Sequence, residues 1–89
     1  MSTLSNIRAQ FPILNQEVHG HPLVYLDNGA STQRPQSVIT AIDEYYKSYH
    51  SNVHRGVHYL SSLATEAMES ARKKVQTFLN APQDKEVMF

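Results

Sequence analysis

Apolar positions recur with a helical period in three stretches of the chain, and the segments between them carry turn and extended signals. Ile7, Phe11 and Leu14 fall at helical spacing over 5–14, and Pro12 should end that helix near Gln10. The next segment predicts a small hairpin turning at His19 and Gly20, where glycine can supply a positive φ. Pro22 then suits the entry to a strand over 23–26. No second apolar strand follows Asp27-Asn28-Gly29, so these residues predict a loop that leads into a helix. Pro35 belongs in the first turn of that helix, and Val38, Ile42, Tyr45, Tyr46 and Tyr49 share one face over 35–49.

Periodicity stops between Ser51 and Leu60, and Gly56 marks a loop. Ser61 or Ser62 can cap a third helix with a buried stripe of Ala64, Ala67, Met68, Ala71, Val75, Phe78 and Leu79. Glu69 and Lys73 make a favourable i,i+4 pair on it, and Asn80-Ala81-Pro82 stops it. The apolar segment Glu86-Val87-Met88-Phe89 then begins a strand with no turn or polar tail. Two short strands and three helices leave a sheet with too few partners. The expectation is the beginning of a larger α/β protein, with no separate domain boundary inside 1–89.

Composition narrows the classes. Eighty-nine residues would bury only a little over ~60% of their unfolded surface, so an independent core would be thin. Hydrophobic residues at 40% and charged ones at 18% argue against disorder throughout. Eight basic residues balance eight acidic ones, which argues against a general nucleic-acid binder. The absence of cysteine excludes, within these residues, a disulfide scaffold, a Cys-ligated zinc or iron–sulfur site and a thiol nucleophile. No basic stretch precedes an apolar one near Met1, and the longest apolar run, 23–26, is far short of a membrane span. These features predict a cytoplasmic protein without membrane partners.

Three segments can carry chemistry. The small residues Gly29, Ala30 and Ser31 let backbone N–H groups approach an anionic ligand, although an ordinary strand-to-helix turn uses the same residues. In His54-Arg55-Gly56-Val57-His58, an arginine beside a glycine can expose a guanidinium fork to a carboxylate or phosphate, against the alternative of a solvated surface arginine. His50, His54 and His58, spaced i, i+4, i+8, would share a face and bind a divalent metal only on one uninterrupted helix. Gly56 and Ser51-Asn52 oppose such a helix, and no HExxH is present. The tyrosines of the second helix lack a basic stripe, so they fit helix packing better than base stacking.

In order and spacing, three motifs resemble the amino-terminal part of the cysteine desulfurases. They are Phe11-Pro12-Ile13-Leu14, Tyr25-Leu26-Asp27-Asn28-Gly29-Ala30-Ser31, and Val53-His54-Arg55-Gly56-Val57-His58-Tyr59-Leu60-Ser61. The likeness is closest to the group that works with the sulfur-mobilisation (Suf) pathway, and the helix from Ala64 to Arg72 is similar to the one that follows in that group. The resemblance implies an α/β fragment of the large PLP-dependent fold (fold type I, class V aminotransferase) and a homodimer. It implies conversion of L-cysteine to L-alanine, with sulfur left as a persulfide on an enzyme cysteine and passed to an acceptor protein for iron–sulfur cluster assembly. Related members also accept selenocysteine. The cofactor, pyridoxal 5'-phosphate, is held in the family as a Schiff base with a lysine.

Those central groups have no counterpart in this stretch. Lys47, Lys73, Lys74 and Lys85 match no cofactor-lysine position, so the Schiff-base lysine and the persulfide cysteine are expected beyond Phe89. The resemblance places Gly29, Ala30 and Ser31 near the substrate end of the site, and His54 and Arg55 in a segment that reaches the partner subunit's active site. Gly29 departs from the family, where alanine is common. By itself this fragment is expected to be inactive. The alternative from a different class is a small non-enzymatic helical module that binds a partner or metal through its histidine-bearing loop.

Overall fold

The computed structural model describes residues 3–89. In chain order it contains α1 (Thr3–Arg8), the hairpin strands β1 (Glu17–Val18) and β2 (His21–Pro22), α2 (Gln36–Ser48) and α3 (Tyr59–Leu79). Two 3-10 turns, Pro12–Leu14 and Asp84–Glu86, complete it. The chain divides into two compact units, the first ending at Glu44 and the second starting at Tyr45, with α2 running across the boundary. Among the described residues no helix is long and apolar enough to cross a membrane.

In the first unit α1 stops at Arg8, earlier than Pro12 alone requires, and Pro12 instead opens a 3-10 turn. The Arg8 guanidinium donates to the carbonyls of Leu14 (3.2 Å) and Leu23 (2.8 Å), tying the helix to the segment on either side of the hairpin. The hairpin turns where the sequence predicts. His19 (φ 52°) and Gly20 (φ 79°) both adopt left-handed backbone, the signature of a type I′ turn, and Val18 pairs with His21. Residues 23–26 do not form the expected strand. Leu23 N–H still reaches the Gln16 carbonyl at 3.0 Å, but among the described residues no further strand pairs with 23–26, and Leu26 stays 90% exposed. Extended residues become a strand only when another edge satisfies their ladder.

The expected helix over 35–49 forms as α2, with Pro35 accepting the first-turn bonds from Val38 and Ile39. At its end, Tyr45 meets the rings of Tyr46, Tyr49 and His50 with centroids 5.0–5.4 Å apart and edge-on geometry.

In the second unit α3 starts two residues before Ser61, so the cap is neither Ser61 nor Ser62. His58, in extended backbone, accepts the Ser61 N–H on Nδ1. The C-terminus follows expectation: Asn80 takes the left-handed conformation (φ 57°), and the N–H groups of Asn80 and Ala81 close back on Thr77 and Gln76. Of the predicted apolar stripe only Ala64 is fully buried, while Ala67, Ala71, Leu79 and Phe78 (87%) are exposed. The covered face is rotated from that stripe and runs through Ser61, Ala64, Thr65, Met68, Arg72 and Val75. Val87 is buried, but the segment after Glu86 is not a strand: Asp84–Glu86 forms a 3-10 turn closed by a Gln83–Glu86 capping box. Glu69 does not pair with Lys73; its carboxylate is held by Arg72 and His54.

Candidate functional site

The two candidate loops lie in different units. In the first, Gly29, Ala30 and Ser31 form a turn after residues 23–27. The N–H groups of Ala30 (3.0 Å) and Ser31 (3.1 Å) both donate to the Asp27 carbonyl. Asn28 Oδ1 accepts the Gln33 N–H at 3.0 Å, and the Tyr25 hydroxyl donates to the Ser31 carbonyl at 2.6 Å. The loop is therefore internally braced, and two of the N–H groups expected to meet an anion are already used. A β-carbon built on Gly29 meets nothing within 4 Å, and Gly29 has ordinary backbone, so alanine fits without rearrangement. Beside this loop is a cleft of about 460 Å³, lined mainly by Leu4, Ile7, Phe11, Val24 and Leu26.

The second loop is built by α3. Ser61, Thr65 and Glu69 recur at i, i+4 and i+8, and each holds part of residues 50–58. The Ser61 hydroxyl donates to the Asn52 carbonyl (2.8 Å) and accepts the Gly56 N–H (3.2 Å) while almost wholly buried. Thr65 Oγ1 accepts the His54 N–H at 3.0 Å. Glu69 Oε1 lies 2.9 Å from His54 Nε2. His54 is held at φ 63°, left-handed backbone that a β-carbon disfavours. Gly56 is required for a different reason. A β-carbon there would sit 2.6 Å from both Cβ and Oγ of Ser61, so only glycine allows the loop to pass this close to α3.

Arg55 occupies the turn between these anchors. It is exposed and its guanidinium makes no hydrogen bond or ion pair among the described residues. A guanidinium carried on an anchored loop, with its donors unused among the described residues, can take a carboxylate or phosphate oxygen pair. The polar repeat Ser61, Thr65, Glu69 was the signal for this mounting, but it lies on α3 beside the apolar stripe that dominates the pattern.

The three histidines weighed as metal ligands are not aligned on one helix. His50 follows the end of α2, His54 lies in a left-handed turn and His58 caps α3, so the helix that would align them does not exist. Among the described residues no three His, Asp or Glu side chains converge on a metal position. Lys47, Lys73, Lys74 and Lys85 are all exposed.

Comparison with known proteins extends through both loops. A probable cysteine desulfurase of Halalkalibacterium halodurans is 53% identical over 83 residues, covering 93% of this chain and 20% of the relative. A cysteine desulfurase of Klebsiella pneumoniae is 51% identical over 87 residues, covering 98% and 21%. The apo structure of a cysteine desulfurase from Thermococcus onnurineus superposes with a TM-score of 0.77 at 41% identity, covering 91% of this chain and 19% of that one. The chain thus spans about a fifth of the length of the relatives it matches. Residues 24–89, which include both loops and α3, match the family described as Aminotransferase class-V, and the chain belongs to that family.

Proposed function

We propose that these 89 residues are the amino-terminal part of one class-V domain in a PLP-dependent cysteine desulfurase of the Suf-pathway type. The reading places the enzyme in the cytoplasm as a homodimer that uses L-cysteine and delivers sulfur to an acceptor protein of iron–sulfur cluster assembly. Its strongest support is identity near one half to proteins named cysteine desulfurase, over 83 and 87 of the 89 residues. Thiol-based sulfur transfer also suits the reducing cytoplasm.

In this reaction an enzyme thiolate attacks the substrate Sγ and the Cβ–S bond breaks. The carbon keeps the bonding electron pair and takes a proton, giving alanine, while the sulfur remains on the enzyme as a persulfide. Bound PLP supplies the electron sink that makes the bond cleavage feasible. The residues described here bind and orient. Arg55 offers its fork to a carboxylate or phosphate in the partner subunit's site, His54 fixes the loop behind it, and Gly29, Ala30 and Ser31 form a braced wall near the substrate.

The test is turnover of L-cysteine by the full-length protein, with alanine and reductant-released sulfide measured together. Equal yields of the two are expected. Amino-group transfer to a keto acid without sulfide would overturn the reading.

A further inference from the structure

Among the described residues the Arg55 side chain has no partner, so the backbone that carries it is what orients it. His54, the residue before it, is held left-handed by two contacts from α3: Thr65 Oγ1 on its N–H and Glu69 Oε1 on its Nε2. Glu69 is engaged on both oxygens, because Oε2 receives the Arg72 Nε–H at 3.2 Å. Arg72 is itself anchored; its guanidinium donates to the Val87 carbonyl and lies 5.1 Å from the centre of the Phe89 ring. A chain of contacts thus runs from a half-buried arginine, through one carboxylate, to the strained residue beside Arg55.

We infer that Glu69 is a positioning residue: it locks His54 in its left-handed turn and so fixes the direction in which Arg55 is presented to its ligand. The inference rests on the reading that Arg55 acts in the active site. The bland role for Glu69 is an i,i+3 helix pair with Arg72, which would affect stability alone. What that role leaves unexplained is the second oxygen, spent on a residue whose backbone would otherwise relax.

The experiment is a double-mutant cycle on the full-length holoenzyme with Arg55→Ala, Glu69→Ala and the pair, reading kcat, KM for cysteine, cofactor content and unfolding midpoint. Since His54 and Glu69 are 49% and 36% exposed at their side chains, the contact is partly screened, and Glu69→Ala should lower kcat/KM about 3- to 10-fold. Cofactor content should not change. In the Arg55→Ala background the same substitution should cost nothing further, because both act through one guanidinium. Glu69→Gln, whose amide oxygen still accepts from His54, should restore most of the turnover. Should Glu69→Ala fail to fold, Thr65→Val removes the other anchor and should give the same non-additive result. Wild-type turnover by Arg55→Ala would remove the parent reading and this inference with it. A loss in Arg55→Ala combined with no loss in the anchor variant, or with losses that multiply, would overturn the role of Glu69 alone.

Discussion

Replacing Gly56 with alanine tests how the Arg55 loop is mounted. The new carbon would lie 2.6 Å from Cβ and Oγ of Ser61 and 3.0 Å from His58 Nε2. Ser61 cannot retreat, because it is buried within α3 and its hydroxyl is already shared between Asn52 and Gly56. The loop must lift instead. Overpacking of this kind costs about 1–3 kcal/mol. Losing the Gly56 N–H to Ser61 Oγ bond adds about 0.5–1.5 kcal/mol. The stiffer unfolded chain offsets about 0.4–1 kcal/mol. The net expectation is a loss of about 0.5–4 kcal/mol, concentrated in residues 52–61. Denaturant midpoints of the full-length protein, with hydrogen exchange over those residues, read both the size and the location. Gly29→Ala is the matched control: it meets nothing within 4 Å and should leave stability at or slightly above wild type. Unchanged stability and protection in Gly56→Ala, or an equal loss in Gly29→Ala, would refute the steric account.

Further outcomes follow from the same geometry. Ser61→Ala strips the partner from the Gly56 N–H and the Asn52 carbonyl, and should cost about 1–3 kcal/mol with faster exchange at Gly56. Asn80→Gly should hold or slightly raise stability and Asn80→Ala should lower it by about 1 kcal/mol, since the cap sits at φ 57°; thermal unfolding of the two variants checks the order. The isolated 89 residues, with Phe78 and Leu79 uncovered on α3, should bind a hydrophobic dye and unfold without a sharp two-state transition. A cooperative monomer that excludes the dye would contradict that expectation.

What was legible in the sequence was local. The His19-Gly20 turn, the start of α2 at Pro35 and the stop at Asn80 each depend on one or two residues whose backbone preferences decide the outcome. Both apolar segments read as strands, 23–26 and 86–89, lack strand structure because pairing depends on a distant edge that no local pattern supplies. The cap of α3 was misassigned for a related reason. Ser61 carries the residue type of a cap, yet its hydroxyl is committed to the loop nine and five residues earlier, and His58 does the capping. Arg55 could be singled out from its neighbours, but its mounting on Ser61, Thr65 and Glu69 depends on how α3 faces the loop. Glu69 found His54 and Arg72 rather than Lys73 because the left-handed turn brings His54 to it.

We propose that Arg55, held out by this loop, works in the site of the partner subunit. Purified heterodimers measure it directly, with one subunit carrying Arg55→Ala and the other lacking its persulfide cysteine. Acting across the dimer, the intact Arg55 serves the subunit that keeps its cysteine, so the account predicts one working site and about half of wild-type cysteine turnover. Arg55 acting within its own subunit would leave no site with both groups, and collapse of turnover to the level of the Arg55→Ala homodimer would contradict the account.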